Sequence, residues 1–232
     1  MREIVLDTET TGFEPGEGHR LVEIGCVELL NHMPTGRTYH QYINPERDMP
    51  TEAFAVHGLS EDFLRPQPRF VEIADAFLDF VDGGTLVIHN AAFDMKFLNF
   101  ELERARKRLL PTDRVVDTLM MARRKFPGSP ATLDALCRRF GVDNSNRTLH
   151  GALLDSEILA EVYLELIGGR QPDFALGVQP QKTRVPGATE TGWRPRPRPT
   201  PLPARLTRDE AAAHEAMIAR MGDKAIWRRY DN

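Results

Sequence analysis

The sequence predicts an α/β fold in which a mixed β-sheet is flanked by helices. Strand-like and helix-like segments alternate from Ile4 to about Leu166. The first strands follow one another through short turns, which favours antiparallel pairing, whereas after residue 70 strands and helices come in pairs, which favours parallel additions. The sheet is therefore expected to be antiparallel in its early part and parallel in its later part.

Four segments have the composition of strands and five have the periodicity of helices. The strands are expected at Ile4–Leu6, Leu21–Leu30, Thr38–Ile43 and Thr85–His89. The helices are expected at Val71–Val81, Ala92–Leu109, Thr118–Arg124, Thr132–Phe140 and Gly151–Ile167. Asp117 directly precedes one of these helices and is typical of an N-cap.

The last quarter of the chain differs in composition from the rest. Its proline-rich stretch RPRPRPTPLP, Arg194–Pro203, is typical of a linker. Thr207 and Glu210 then form a capping-box pattern before an apolar helical stripe. The stripe consists of His214, Met217, Ile218 and Met221. A lone helix of about fourteen residues is marginal in water, so we expect a partner protein to cover the stripe, with a frayed tail as the alternative.

Composition limits the classes of protein that this chain could be. It has 232 residues, of which 41% are hydrophobic, and no stretch approaches the ~18 consecutive apolar residues of a membrane span. Cys26 and Cys137 show no spacing typical of a disulfide framework or a zinc site, so we expect reduced thiols in a core. These features predict a cytoplasmic protein.

Charge is divided unevenly along the chain. Residues 1–170 hold 19 Lys and Arg against 27 Asp and Glu, a net charge of -8, and residues 171–232 hold 11 against 7, a net charge of +4. The acidic part cannot hold nucleic acid through bulk attraction to phosphates. If the protein acts on phosphates, metal ions or a partner must help.

The stretch IVLDTETTG carries two acids at the end of a predicted strand. Side chains on a strand alternate between faces, so Asp7 and Glu9 project to the same side. Two carboxylates this close raise each other's pKa unless a cation lies between them. The alternative is a turn in which Asp7 and Thr8 cap the backbone ahead of Gly12.

Two further acids lie on helix stripes that should face the core. Asp94 shares its stripe with Phe97, Leu98 and Leu102. Asp155 shares its stripe with Ile158, Leu159, Val162 and Leu166. A buried carboxylate is costly unless it is paired, protonated or metal-bound, and a satisfied hydrogen bond is the alternative for either acid alone.

Together the four acids predict a site for two divalent cations. Oxygen-rich sites suit Mg²⁺ or Mn²⁺ rather than zinc, and two such ions ~3.5–4 Å apart serve in-line displacement at a phosphodiester. His150 is the candidate base. On a regular helix His150 and Asp155 would lie ~140° apart, so we expect Gly151 to leave His150 in the loop before the helix.

These motifs resemble those of a known nuclease family. DTET, HNAAFD and HGALLD are similar to the three motifs of the DEDD exonucleases in their histidine variant, over nearly all of residues 1–170. RTLHGALLDSEILAEVYL and the tail AAAHEAMIAR resemble, more closely, the proofreading epsilon subunits of bacterial DNA polymerase III. The resemblance implies a ribonuclease-H-like exonuclease domain over 1–170, a flexible linker over 171–204 and a polymerase-binding helical tail over 205–232.

The resemblance also implies an activity and site roles. The expected reaction removes nucleoside monophosphates from a DNA 3′ end during proofreading. Asp7, Glu9 and Asp155 are expected to bind the metals, with Asp94 joining partly through water and His150 acting as general base. TEAFAVHG resembles a segment that contacts the terminal nucleotide, which makes Glu52 and His57 candidate substrate contacts. From its residues alone this segment is interpreted as a surface turn ending at Gly58.

The resemblance implies partners as well. The tail is expected to bind the polymerase catalytic subunit, alpha, and QPDFAL, Gln171–Leu176, resembles a sliding-clamp-binding peptide. Two alternatives stay open. An RNA-trimming relative has the same acids, because such a metal core reads phosphate rather than sugar. A replisome scaffold with a vestigial site would bind the polymerase without catalysis.

Overall fold

The computed structural model describes residues 1–145, 147, 149–169 and 207–222. The strands are β1 (Arg2–Thr10), β2 (Leu21–Leu30), β3 (Met33–Tyr42), β4 (Thr85–Ile88) and β5 (Val115–Asp117). The helices are α1 (Thr51–His57), α2 (Glu61–Leu64), α3 (Phe70–Val81), α4 (Ala91–Arg104), α5 (Thr118–Lys125), α6 (Leu133–Phe140), α7 (Ala152–Leu166) and α8 (Arg208–Met221).

The described strands form one five-stranded sheet in the order β3-β2-β1-β4-β5. Strand β1 lies in the centre, antiparallel to β2 and parallel to β4. The remaining pairs repeat this division, since β2 and β3 are antiparallel and β4 and β5 are parallel. The predicted mixed sheet is confirmed, including the change of pairing from the early to the later strands.

Each face of the sheet is covered by a separate layer of helices. Ile4 and Leu6 of β1 belong to a core with residues of α3 and α4, whereas Val5 belongs to a core with residues of α5, α6 and α7. Because successive strand residues point to opposite faces, the odd-numbered residues of β1 point towards the α7 layer. Asp7 and Glu9 therefore continue the face that α7 covers.

The sequence pattern missed the shortest elements. Strand β5 has three residues, α2 four and α1 seven, too few for periodicity to show. The segment TEAFAVHG was interpreted as a turn, but it forms α1 and ends at Gly58, whose φ of 72° is left-handed. Helix α4 ends five residues earlier than predicted, and Arg106 just beyond it has a φ of 56°, which does not continue a helix.

Helix α8 forms the described part of a separate compact unit. Its predicted capping box is confirmed, because Thr207 Oγ1 accepts from the Glu210 N–H at 3.2 Å and Glu210 Oε2 accepts from the Thr207 N–H at 2.8 Å. The proposed linker 171–204 and the clamp-like peptide 171–176 lie outside the described residues. None of the described helices is both long and apolar enough to cross a membrane.

Candidate active site

Asp7 and Glu9 lie where β1 emerges from the core, on the face covered by α7. Three apolar residues precede the two acids along the strand, and Glu9 is itself only 8% exposed. Thr8, between them, points to the opposite face and is also buried. The predicted same-side arrangement of the two acids is explained by this alternation.

Asp94 comes from the other layer of helices. Strand β4 ends beside β1, and Asn90 takes a left-handed conformation (φ 68°, ψ 51°) directly before α4 begins. Asp94 is 3% exposed, and its Oδ1 accepts a hydrogen bond from Thr8 Oγ1 at 2.7 Å. The turn after β4 thus brings a third carboxylate to the same end of the sheet.

Asp155 reaches the site because α7 lies unusually close to the sheet. A Cβ at Gly25, which pairs with Asp7 across β1 and β2, would lie 2.2 Å from the backbone of Ala152 at the start of α7. Ser156 Oγ also donates to the Gly25 carbonyl at 2.9 Å. Gly25 therefore allows the first turn of α7 to lie directly on the β1–β2 pair and to bring Asp155 to Asp7.

Burial raises the pKa values of three of the acids, and for two of them neighbouring site carboxylates add to the shift. Burial raises the pKa of Asp7 well above its usual range, and Asp94, Glu9 and Asp155 raise it further. Burial, followed by Asp155 and Glu23, raises the pKa of Glu9 to about 8. Burial raises the pKa of Asp94 to about 7. A cation among these oxygens would favour their charged forms, so their electrostatics fit a metal site.

His150 lies in the loop before α7, because the helix begins only at Ala152. Its backbone N–H donates to the Val56 carbonyl of α1 at 3.1 Å. Its imidazole Nδ1 lies 3.2 Å from Asp155 Oδ2. Gly151 is extended (φ -151°) with nothing near its Cβ position, so the late helix start, rather than any freedom special to glycine, explains the position of His150.

Three of the predicted residues form a compact set of candidate ligands. Each of Glu9, His150 and Asp155 offers one ligand atom, and these atoms all lie within 4.8 Å of one another. Two carboxylates and an imidazole are suitable donors for a divalent cation. His150, expected from the resemblance to act as a base, therefore lies close enough to the acids for either role.

Arg147 is part of the site, and sequence reasoning missed it. Its Nε and Nη2 donate to the two oxygens of Asp155, the second at 2.7 Å, and its Nη1 donates to Asp134 Oδ1 at 2.8 Å. Its side chain is only 8% exposed. Although burial acts to raise the pKa of Asp155, contacts with His150 and Arg147 lower it below the usual value. No pattern could reveal this contact, because Arg147 lies in a non-periodic loop.

Three of the four acids border cavities. One, of about 680 Å³, is bordered by Asp7, Asp155, His150 and Arg147 and by residues of α5 and α6. The other, of about 480 Å³, is bordered by Glu9 together with Glu52 and His57. The two residues expected to contact substrate therefore border the same space as Glu9.

His57 differs from a surface turn residue in being almost fully buried. Its Nδ1 accepts from the Leu59 N–H at 3.0 Å, and burial, the main cause, lowers its pKa below the usual value. An imidazole in this state is neutral at pH 7 and offers Nε2–H as a donor. Nε2 is itself buried and has no hydrogen-bond partner that meets standard geometry within the described residues, although the Thr10 backbone lies near enough to affect the pKa of the ring.

Comparison with known proteins places this site in a family. The exonuclease family model, RNase_T, matches residues 4–163. The DNA polymerase III subunit epsilon of Rickettsia felis is 58% identical over 179 residues, covering 76% of this chain and 78% of the relative. The subunit epsilon of Escherichia coli is 43% identical over 237 residues, covering 98% of this chain and 97% of the relative.

Solved structures show the same fold at lower identity. The nuclease domain of 3′hExo, a DEDDh family member bound to rAMP, is 21% identical with a TM-score of 0.62, covering 72% of this chain and 91% of that one. Exonuclease X in complex with 5′ overhanging duplex DNA is 24% identical with a TM-score of 0.55, covering 71% and 90%. The expected ribonuclease-H-like fold is thus confirmed. Given its full-length relatives, the chain belongs to the DNA polymerase III epsilon subunits, the 3′–5′ proofreading exonucleases.

Proposed function

We propose that this chain hydrolyses the terminal phosphodiester of a DNA 3′ end with two divalent cations, Mg²⁺ or Mn²⁺, releasing nucleoside monophosphates. The convergence of the four acids and His150 at one end of the sheet carries this proposal. Two of the acids have pKa values raised to about 8 and about 7, and a nearby cation would favour their charged forms at neutral pH. When bound, the two ions would supply activation of the attacking water and stabilisation of the leaving oxygen.

Each acid has a proposed part in holding the ions. Asp7, Glu9 and Asp155 would hold them directly, and Asp94, which accepts a hydrogen bond from Thr8, would join partly through water. The hydrogen bond from Thr8 occupies one oxygen of Asp94, which supports the less direct role of this acid. Carboxylate oxygens are the ligands that Mg²⁺ and Mn²⁺ prefer.

His150 is the proposed general base, which takes a proton from the attacking water. Its side chain is 48% exposed, so its imidazole is open to solvent and substrate. A histidine in a loop also has the freedom to turn towards a reacting group. These properties support a role in proton transfer rather than a structural one.

Glu52 and His57 are proposed to hold the terminal nucleotide in the smaller cavity. Both border the space beside Glu9. Neither residue is proposed to recognise a particular base. Selection of mispaired ends is attributed instead to fraying, because a frayed end enters the site more easily than a paired one. Equal digestion rates for paired and mispaired termini would contradict selection by fraying.

The rest of the chain is proposed to attach the exonuclease domain, 1–170, to the replication machinery in the cytoplasm. The tail 205–232 binds the catalytic subunit alpha, the linker 171–204 spans the distance, and Gln171–Leu176 binds the sliding clamp. The net charge of -8 over residues 1–170 supports this arrangement, because tethering replaces intrinsic DNA affinity by effective concentration.

The test is a digestion assay with matched and mismatched primers of DNA and RNA. Activity is expected on DNA with Mg²⁺ or Mn²⁺, faster at mismatched ends and absent with a chelator. The double variant Asp7→Ala/Glu9→Ala should keep polymerase binding and lose digestion. Preference for RNA would favour the RNA-trimming alternative, and a wild-type chain that binds polymerase without digesting would favour the scaffold.

A further inference from the structure

The proposed mechanism leaves one buried cation of the site without a role. Arg147 has 8% of its side chain exposed, and it lies among the residues that are proposed to bind ions. It contacts three other side chains, namely Asp155, Asp134 and His150. A cation buried at this position must affect how other cations bind.

The guanidinium occupies both oxygens of one proposed ligand. Its Nε donates to Asp155 Oδ1 and its Nη2 to Oδ2, the forked geometry in which arginine binds a carboxylate most strongly. A divalent ion at Asp155 would meet a positive charge within a few ångströms, in a site partly shielded from water, where like charges repel strongly. Arg147 and an ion therefore compete for Asp155.

The same guanidinium engages the proposed base. Its Nη2 lies 2.7 Å from His150 Nδ1, so Arg147 restrains the imidazole as well as the carboxylate. Any change that removes Arg147 from Asp155 also changes the surroundings of His150. Binding of an ion at Asp155 and release of the imidazole would therefore be coupled through this one side chain.

Asp134 offers Arg147 a second partner outside the cluster of acids. It lies in the first turn of α6, accepts from Arg147 Nη1 at 2.8 Å and from Asn144 Nδ2 at 3.0 Å. Its side chain is 47% exposed, so it faces solvent where Asp155 faces the acids. Arg147 therefore keeps one ion pair when it gives up the other, which lowers the cost of the exchange.

We propose that Arg147 is the internal counter-cation of the metal-free site, a positioning residue that neutralises Asp155, restrains His150 and is displaced from Asp155 by a divalent ion. This inference rests on the metal binding proposed above. The apparent affinity for the ion equals the intrinsic affinity multiplied by the fraction of molecules in which Asp155 is not paired with Arg147. If that fraction is about a tenth, the cost is about tenfold in affinity.

The experiment measures binding of Mn²⁺ alone to the full chain by titration calorimetry, without DNA. Arg147→Met keeps an unbranched apolar stem and removes the guanidinium, so Mn²⁺ should bind about tenfold more tightly than to the wild type. Arg123→Met is the matched control, because Arg123 borders the same cavity but is exposed. It removes the same charge and should change affinity by less than about twofold.

A second readout follows His150 during titration with diamagnetic Mg²⁺. The imidazole signals of metal-free Arg147→Met should differ from those of the wild type, whereas the Mg²⁺-saturated signals should coincide. If Arg147→Met does not fold, Arg147→Lys replaces it, because an ammonium group lacks the planar fork. Arg147→Lys should bind Mn²⁺ more tightly than the wild type and more weakly than a variant without charge.

The outcomes separate the two proposals. A wild-type chain that does not bind Mn²⁺ contradicts the proposed metal dependence. A wild-type chain that binds Mn²⁺ as tightly as Arg147→Met or Arg147→Lys, or a control that gains as much as Arg147→Met, overturns the role of Arg147 alone.

Discussion

Asp94 and Asp155 occupy equivalent positions in sequence and opposite electrostatic states in the structure. Each lies in the first turn of a helix, on the stripe that faces the core, and each is almost fully buried. Burial raises the pKa of Asp94 to about 7, whereas contacts with His150 and Arg147 lower the pKa of Asp155 in spite of burial. Burial alone therefore does not determine the charge of an acid in this site.

The difference arises from the partners that each helix layer supplies. On the α4 side, Asp94 receives a neutral hydroxyl donor from Thr8. On the α7 side, Asp155 receives a guanidinium. A hydrogen bond from a neutral donor offsets only part of the free-energy cost of desolvating a carboxylate, and a hydrogen bond from a cation offsets more of it. Contacts with a cation therefore favour the charged form of Asp155, whereas burial disfavours the charged forms of Asp7, Glu9 and Asp94.

The largest effects on activity are expected when Asp94 or Asp155 is replaced by its amide. Asp155→Asn and Asp94→Asn should both lower kcat by at least about a hundredfold, equivalent to about 3 kcal/mol, because each removes a carboxylate from the site. Their metal-free stabilities should change in opposite directions at pH 8. Asp94→Asn should be more stable than the wild type, since it removes a buried charge, and Asp155→Asn less stable, since Arg147 loses a partner.

Digestion kinetics and thermal unfolding with a chelator measure these effects. Equal stability changes for the two variants would show that burial, rather than the partner, controls both acids.

Gly25 tests why Asp155 is in the site at all. Gly25→Ala should destabilise the protein by more than about 3 kcal/mol and abolish digestion, because the methyl group would overlap the backbone of α7. Gly151→Ala is the control, since its Cβ position is open and its backbone is extended. Denaturant unfolding of both variants measures the difference, and a stable, active Gly25→Ala chain would contradict the close approach.

The pH dependence of stability distinguishes the two kinds of acid. The folded pKa values of Glu9 (about 8) and Asp94 (about 7) lie above their ordinary values of 4.5 and 3.8. Their stabilising effect is therefore complete below the ordinary values and is lost as the pH rises through 7 to 8. With a chelator, the Tm should fall across this range, and Mg²⁺ should reduce the fall because it favours the charged forms.

Asp155 should behave in the opposite way. Its lowered pKa stabilises the fold above the ordinary value and that effect is lost only in acid. A metal-free Tm that rises from pH 5 to pH 8 would contradict the raised pKa values of the other acids.

The smallest expected effect is that of Thr8→Val on the pKa of Asp94 and on stability. The substitution removes the hydroxyl that donates to Asp94, so the pKa of Asp94 should rise further. The metal-free protein should lose about 1 kcal/mol of stability, the value of one hydrogen bond. Titration of the Asp94 carboxyl by NMR measures the shift, and an unchanged pKa would show that Thr8 does not stabilise the charged form.

Much of the fold follows from local patterns. Helices α3, α5, α6 and α7 begin and end within one residue of their predicted bounds, because their apolar periodicity and caps act over a few residues. Strand β5 and helices α1 and α2 were missed, since elements of three to seven residues are stabilised by neighbours rather than by their own sequence. The burial of His57 was missed with them.

The alternation of side chains along β1 and the core-facing stripes of α4 and α7 depend only on the order of residues, so the sequence by itself determined which acids point inwards. It also determined that Thr207 caps the tail helix. Only the tertiary structure decided that Arg147 lies on Asp155, that Gly25 admits α7, and that Asp94 and Asp155 differ in charge. Those features depend on distances between segments far apart in the chain, which no local pattern specifies.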